Sequence, residues 1–104
     1  MLEFSGSILF KKNELRVEKI KLPDKILFGQ VLVKVLFSGV CRSQLMEVRG
    51  LRGKDPWLPH LLGHEGSGIV LKVGEGVTKV CPGDEVVLTW IKGEGIEAKS
   101  ANYI

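Results

Sequence analysis

Apolar and polar positions alternate in several short runs along the chain, and glycine separates most of them. Leu15-Arg16-Val17-Glu18 has the period of two expected of a strand with one wet face. Val31-Leu32-Val33-Lys34-Val35-Leu36-Phe37 is rich in β-branched residues and predicts a strand with Val31, Val33, Val35 and Phe37 on one face. One helical pattern follows over residues 41–49, where Cys41, Leu45 and Val48 fall at i, i+4 and i+7 and Gly50 supplies a stop. Gly53, Pro56 and Pro59 predict a loop over residues 50–62. Ile69-Val70-Leu71-Lys72-Val73 predicts a further strand with Ile69, Leu71 and Val73 facing together, and Gly74-Glu75-Gly76 reads as a hairpin turn. Pro82-Gly83-Asp84 is a turn needing positive φ at its glycine, and Val86, Leu88 and Trp90 form a last apolar stripe. About five short strands with one short helix imply a mainly β barrel or sandwich. No helical segments of 10–15 residues separate the strands, so a parallel α/β sheet is not expected.

Composition narrows the class without redirecting it. A chain of 104 residues with 44% hydrophobic and 26% charged positions fits one small domain. The net charge of +3 comes from scattered Lys and Arg, which gives no support to nucleic-acid or membrane-surface binding. No apolar run reaches the ~18 residues of a membrane span. The first residues lack the basic-then-apolar order of a secretory signal. Two cysteines are too few for a disulfide scaffold, so a reduced, cytoplasmic setting is expected.

Two segments carry residues suited to chemistry. Gly39-Val40-Cys41-Arg42-Ser43-Gln44 places a thiol where a strand gives way to a helix, and helix-start amides favour the metal-binding thiolate. Gly63-His64-Glu65-Gly66-Ser67-Gly68 sets an imidazole and a carboxylate between glycines. The 23-residue spacing of Cys41 and His64 is weak evidence for zinc, and a small buried thiol with a hydrogen-bonded turn histidine explains it as well. His60 lies four residues before His64, but Leu61-Leu62-Gly63 argues against a helix there, so it reads as a loop residue and not a ligand; Cys81, beside Pro82-Gly83, reads as an incidental turn thiol.

Taken together, Val31-Leu32-Val33-Lys34-Val35, Ser38-Gly39-Val40-Cys41-Arg42-Ser43, Leu62-Gly63-His64-Glu65-Gly66-Ser67-Gly68-Ile69-Val70, Val73-Gly74-Glu75-Gly76-Val77 and Pro82-Gly83-Asp84-Glu85-Val86-Val87 resemble the N-terminal catalytic region of zinc-dependent, medium-chain alcohol dehydrogenases. The resemblance spans roughly residues 14–93 and implies a GroES-like, partly open β-barrel. It implies that Cys41 and His64 are two of three protein ligands of a catalytic zinc, with Glu65 close behind the metal. Ser43 would take the alcohol proton, Arg42 would contact the pyrophosphate of NAD or NADP, and Trp90 and, more loosely, Trp57 would wall the substrate pocket. The implied reaction passes a hydride between a small alcohol or aldehyde and the nicotinamide. The Cys₂His site of alcohol dehydrogenase is itself the standard example of a catalytic zinc with an open fourth position.

The departures carry expectations too. Gln44 stands where the family has an Asp that orients the zinc-bound histidine, so the ligand would be less basic. Glu94, Glu97 and Ser100 stand where a four-cysteine structural zinc would need thiols, so at most one zinc is expected. Gly66-Ser67-Gly68 and Gly74-Glu75-Gly76 are not a dinucleotide fingerprint. Residues 1–104 therefore read as a truncated GroES-like domain without its dinucleotide-binding domain, inactive alone, with homo-oligomerisation left open. Two competing readings are a free-standing co-chaperonin-type module and a zinc-free quinone-reductase-type relative; the joint presence of Cys41 and His64 weighs against both.

Overall fold

A computed structural model of the chain describes residues 2–89, 94–96 and 98. In chain order these form β1 (Leu2–Lys11), β2 (Glu14–Leu22), β3 (Val31–Ser38), α1 (Arg42–Val48), β4 (His60–Leu61), β5 (Glu65–Val73) and β6 (Glu85–Thr89). The strands make two three-stranded antiparallel sheets, ordered β2-β1-β4 and β3-β5-β6. The mainly β fold with one short helix is the expected one, and among the described residues the sheets do not close into a barrel.

The β1–β2 hairpin is longer than its sequence pattern suggested. Ser5-Gly6-Ser7 interrupts the apolar run and Ile8-Leu9-Phe10 hides the alternation, yet β1 pairs with β2 from Leu2↔Leu22 to Lys11↔Glu14. Asn13 closes the hairpin at φ 63, a left-handed conformation that asparagine tolerates better than most residues. At Gly6 a Cβ would collide with the side chains of Ile20 and Leu61, so glycine lets Ile20 lie across β1. Leu9 and Ile20 are buried there, and Val70 is buried on β5.

In the second sheet β5 begins at Glu65, four residues before the apolar run that announced it. Gly66 and Gly68 allow this, because a Cβ at either would strike a backbone carbonyl of β3, that of Phe37 or Lys34. Bulges interrupt the β3–β5 register between Leu32 and Val33 and between Val35 and Phe37. An irregular ladder does not preserve a simple alternation of faces. Gly68 and Val70 are the buried residues of β5, so the face turned inward is the one opposite the Ile69-Leu71-Val73 stripe, while Val35 and Phe37 of β3 are exposed.

Two connections also differ from expectation. The 50–62 segment is not all loop, because His60 and Leu61 pair with Leu9 and Ile8 of β1. Gly74-Glu75-Gly76 does not close a tight hairpin but opens the longer 74–84 connection to β6. That connection is tied to the 27–30 segment: the Gly74 amide donates to the Gln30 carbonyl at 2.7 Å, and the Gly29 amide to that of Glu75 at 2.9 Å. Gly83, at φ 97, makes the 81–84 turn as its sequence required. Among the described residues, no helix is long and apolar enough to cross a membrane.

Candidate metal centre

The site is built at one end of the β3–β5 ladder. Ser38 pairs with Gly66 at that end, and the Gly39 amide donates to the Glu65 carbonyl at 3.2 Å. Cys41 leaves β3 three residues past Ser38, and His64 enters β5 two residues before Gly66. Two residues 23 apart in sequence thus emerge at the same edge. Gly39 leaves room for the Glu65 side chain, whose carboxylate a Cβ at this position would displace.

Cys41 is the N-cap of α1, in extended conformation at φ −105 and ψ 147. Its amide donates to Gln44 Oε1 at 3.0 Å, and the Gln44 amide donates to the Cys41 carbonyl at 3.0 Å. Gln44 is thereby the buried polar residue of the helix, held by the segment that carries the thiol. Ser43 Oγ donates to Cys41 Sγ at 3.3 Å. This hydroxyl, aided by the Ser43 and Arg42 amides, holds the thiol below its ordinary pKa against slight burial and the nearby Glu65 carboxylate.

His64 is half-buried, with Nε2 3.8 Å from Glu65 Oε2. Both line an open cavity of about 430 Å³ together with Val35, Ser38, Leu88 and Thr89. A smaller cavity of about 260 Å³ lies against Gly39, Gln44, Leu45 and Leu62, so apolar walls flank the Cys41 segment too. Arg42 is exposed on the first turn of α1. Trp57 is 78% exposed, its amide donates to Asp55 Oδ1 at 2.9 Å, and it does not line the His64 cavity. Trp90, Glu97 and Ser100 lie outside the described residues.

A second cluster was not foreseen from sequence. His60 Nε2 stands 2.6 Å from Asp55 Oδ2 and 3.3 Å from Glu47 Oε1. Burial works against charge on His60, but the Leu61 carbonyl and the Asp55 and Glu47 carboxylates outweigh it and raise its pKa. The His60 ring, with the Trp57 amide, lowers that of Asp55. Only the tertiary fold brings these residues together, because a helix, a loop and a two-residue strand each supply one.

Comparison with known proteins shows the family of the chain. The family described as "Alcohol dehydrogenase GroES-like domain" matches residues 28–103, and the chain belongs to it. An alcohol dehydrogenase of Geobacillus stearothermophilus is 40% identical over 80 residues, which cover 77% of this chain and 23% of that protein. The crystal structure of benzyl alcohol dehydrogenase from Acinetobacter calcoaceticus superposes with a TM-score of 0.73 at 29% identity, covering 82% of this chain and 23% of that one. A zinc-dependent alcohol dehydrogenase 2 of Streptococcus pneumonia, in apo form, gives 0.69 at 26% identity, covering 82% and 24%. The chain therefore spans about a quarter of the length of these relatives.

The donor chemistry suits zinc. A thiol held toward its thiolate and an imidazole at the same sheet edge are borderline-soft S and N ligands. Cys41, His64 and Glu65 do not by themselves make a compact trio. Among the described residues, the only His, Cys, Asp and Glu ligand atoms all within 4.8 Å of one another are those of Glu47, Asp55 and His60.

Proposed function

We propose that this domain supplies two metal ligands and the proton-handling face of a zinc-dependent oxidoreductase that passes a hydride between an alcohol or aldehyde and NAD or NADP. The observation that carries the reading is the Ser38↔Gly66 pairing, which brings Cys41 and His64 to one edge beside the Ser43 hydroxyl. Cys41 and His64 would hold the ion, and further donors would come from outside the described residues. When bound, zinc polarises a substrate oxygen and eases loss of its proton near neutral pH.

The chain's own groups account for the remaining tasks. Ser43 Oγ directs its hydrogen to Cys41 Sγ, which leaves oxygen lone pairs to accept a hydrogen bond from a substrate hydroxyl and so orient its proton. Gln44 Oε1 fixes the Cys41 backbone and so holds both Sγ and Ser43 in register. Glu65 adds negative charge beside His64 without entering a buried pair. Arg42, exposed on the same turn, presents a guanidinium suited to a cofactor pyrophosphate. Trp90 is proposed as an aromatic wall for the apolar end of the substrate, a role that Trp57, exposed and outside the His64 cavity, does not share. Both thiols are unpaired, which suits a reducing, cytoplasmic setting.

Cobalt titration tests the assignment, because a thiolate ligand gives cobalt a near-ultraviolet charge-transfer band. The chain is expected to develop this band, Cys41→Ser to lose it, and Cys81→Ser to keep it. His64→Ala is expected to weaken uptake at least about tenfold. An unchanged band in the Cys41→Ser chain removes Cys41 from the ligand set.

A further inference from the structure

A second convergence of ligand-type side chains lies away from Cys41 and His64. Glu47 stands on the last turn of α1, Asp55 on the following loop and His60 on β4, all three half-buried. His60 Nδ1 lies 3.0 Å from the Leu61 carbonyl oxygen. A carbonyl can only accept, so Nδ1 carries the hydrogen and Nε2 faces two carboxylates. Metal-bound imidazoles are nearly always held this way, their other N–H donated to a backbone carbonyl or carboxylate.

We propose that Glu47, Asp55 and His60 form a binding site for a divalent transition metal of the zinc class, separate from the Cys41–His64 edge. Charge supports it. Two carboxylates and a neutral imidazole sum to −2, which a divalent ion neutralises and a single proton on His60 does not. Distance supports it as well. Ligand atoms around a tetrahedral zinc stand about 3.4 Å apart, close to the 3.3 Å between His60 Nε2 and Glu47 Oε1. Asp55 Oδ2, at 2.6 Å, has to withdraw by less than about 1 Å to admit the ion. An open cavity of about 370 Å³ borders Glu47 and Asp55, though not His60, and gives an ion and its water a way in. Lys12 and Lys54 line the same cavity and oppose a cation, but both are exposed and screened by solvent. The bound metal clips α1, the 50–59 loop and β4 together, and it raises the expected zinc count from one to two.

The test is calorimetric titration of the Cys41→Ser chain with zinc ions alone, since that substitution removes the thiolate donor of the other site. One equivalent is expected to bind. Adding His60→Gln or Asp55→Asn is expected to weaken binding at least about tenfold. No uptake by Cys41→Ser, or equal affinity with and without His60→Gln, overturns the proposal and leaves an ion-paired clip only. If a double variant fails to fold, the Cys41→Ser chain still decides by NMR, because the protein has only two histidines. Zinc must shift the His60 ring resonances, and a shift confined to His64 overturns the site. Failure here leaves the Cys41 assignment intact, because that one is read from the thiolate–cobalt band.

Discussion

The two cysteines sit in similar surroundings with opposite proton arrangements. Cys41 starts a helix and Cys81 starts a β-turn, and each has a polar side chain two or three residues further on. At Cys41 the neighbour is a donor: Ser43 Oγ gives its hydrogen to the sulfur at 3.3 Å. At Cys81 the neighbour is an acceptor: Sγ gives its hydrogen to Asp84 Oδ2 at 3.5 Å, and the Cys81 amide donates to the same oxygen at 2.9 Å. Donation to sulfur stabilises the thiolate and donation from sulfur stabilises the thiol. The Cys41 pKa is thus lowered, while the Asp84 hydrogen bond and charge raise that of Cys81. For these two thiols the neighbouring side chain, a donor at one and an acceptor at the other, sets the direction of the shift.

The largest expected effect is on alkylation. With chelator present at pH 7.5, iodoacetamide is expected to modify Cys41 about tenfold faster than Cys81, read by mass spectrometry of the two peptides. Equal rates would break the comparison. The pH profile sharpens it, because a lowered pKa leaves thiolate present at lower pH. The half-maximal rate of Cys41 should fall below that of an ordinary thiol, and that of Cys81 above it. The lower intrinsic nucleophilicity of the more acidic thiolate offsets part of this gain.

Asp84→Asn comes next. It removes the charge that raises Cys81, and should speed that residue about threefold while leaving Cys41 unchanged. Ser43→Ala removes the largest influence that lowers the Cys41 pKa and should slow Cys41 about threefold as well, part of the effect persisting because the Ser43 and Arg42 amides still face the sulfur. A Ser43→Ala chain whose Cys41 reacts like Cys81 would show that the hydroxyl alone makes the difference.

Much of this could be read from residue order, and the failures have local causes. The β3 run, the helix from residue 42 and the 81–84 turn rest on short-range signals: β-branched residues, one-sided spacing and a Pro-Gly pair. β1 was hidden because Leu9 is buried between apolar neighbours on both sides, so period two does not show. The start of β5 was hidden because Gly66 and Gly68 look like loop residues until a neighbouring backbone needs their space. Cys41 and His64 were legible as motifs. The meeting of Glu47, Asp55 and His60 was not, since it depends on β4 pairing with β1. The opposite behaviour of the two thiols was half legible: Ser43 and Asp84 are visible in the sequence, but which atom donates is settled by rotamers.

The Asn13 amide at the hairpin tip donates to the carbonyl of Val48, the last residue of α1, at 2.7 Å. A helix of only seven residues cannot hold itself in place, so this bond, with the Glu47–His60 pair, moors its far end to the β1–β2 hairpin and β4 while Cys41 occupies the near end. Lengthening the turn between β1 and β2 by a residue or two would slacken that mooring. A change in the first fifteen residues would then be felt as looser aim of a sulfur atom nearly thirty positions downstream.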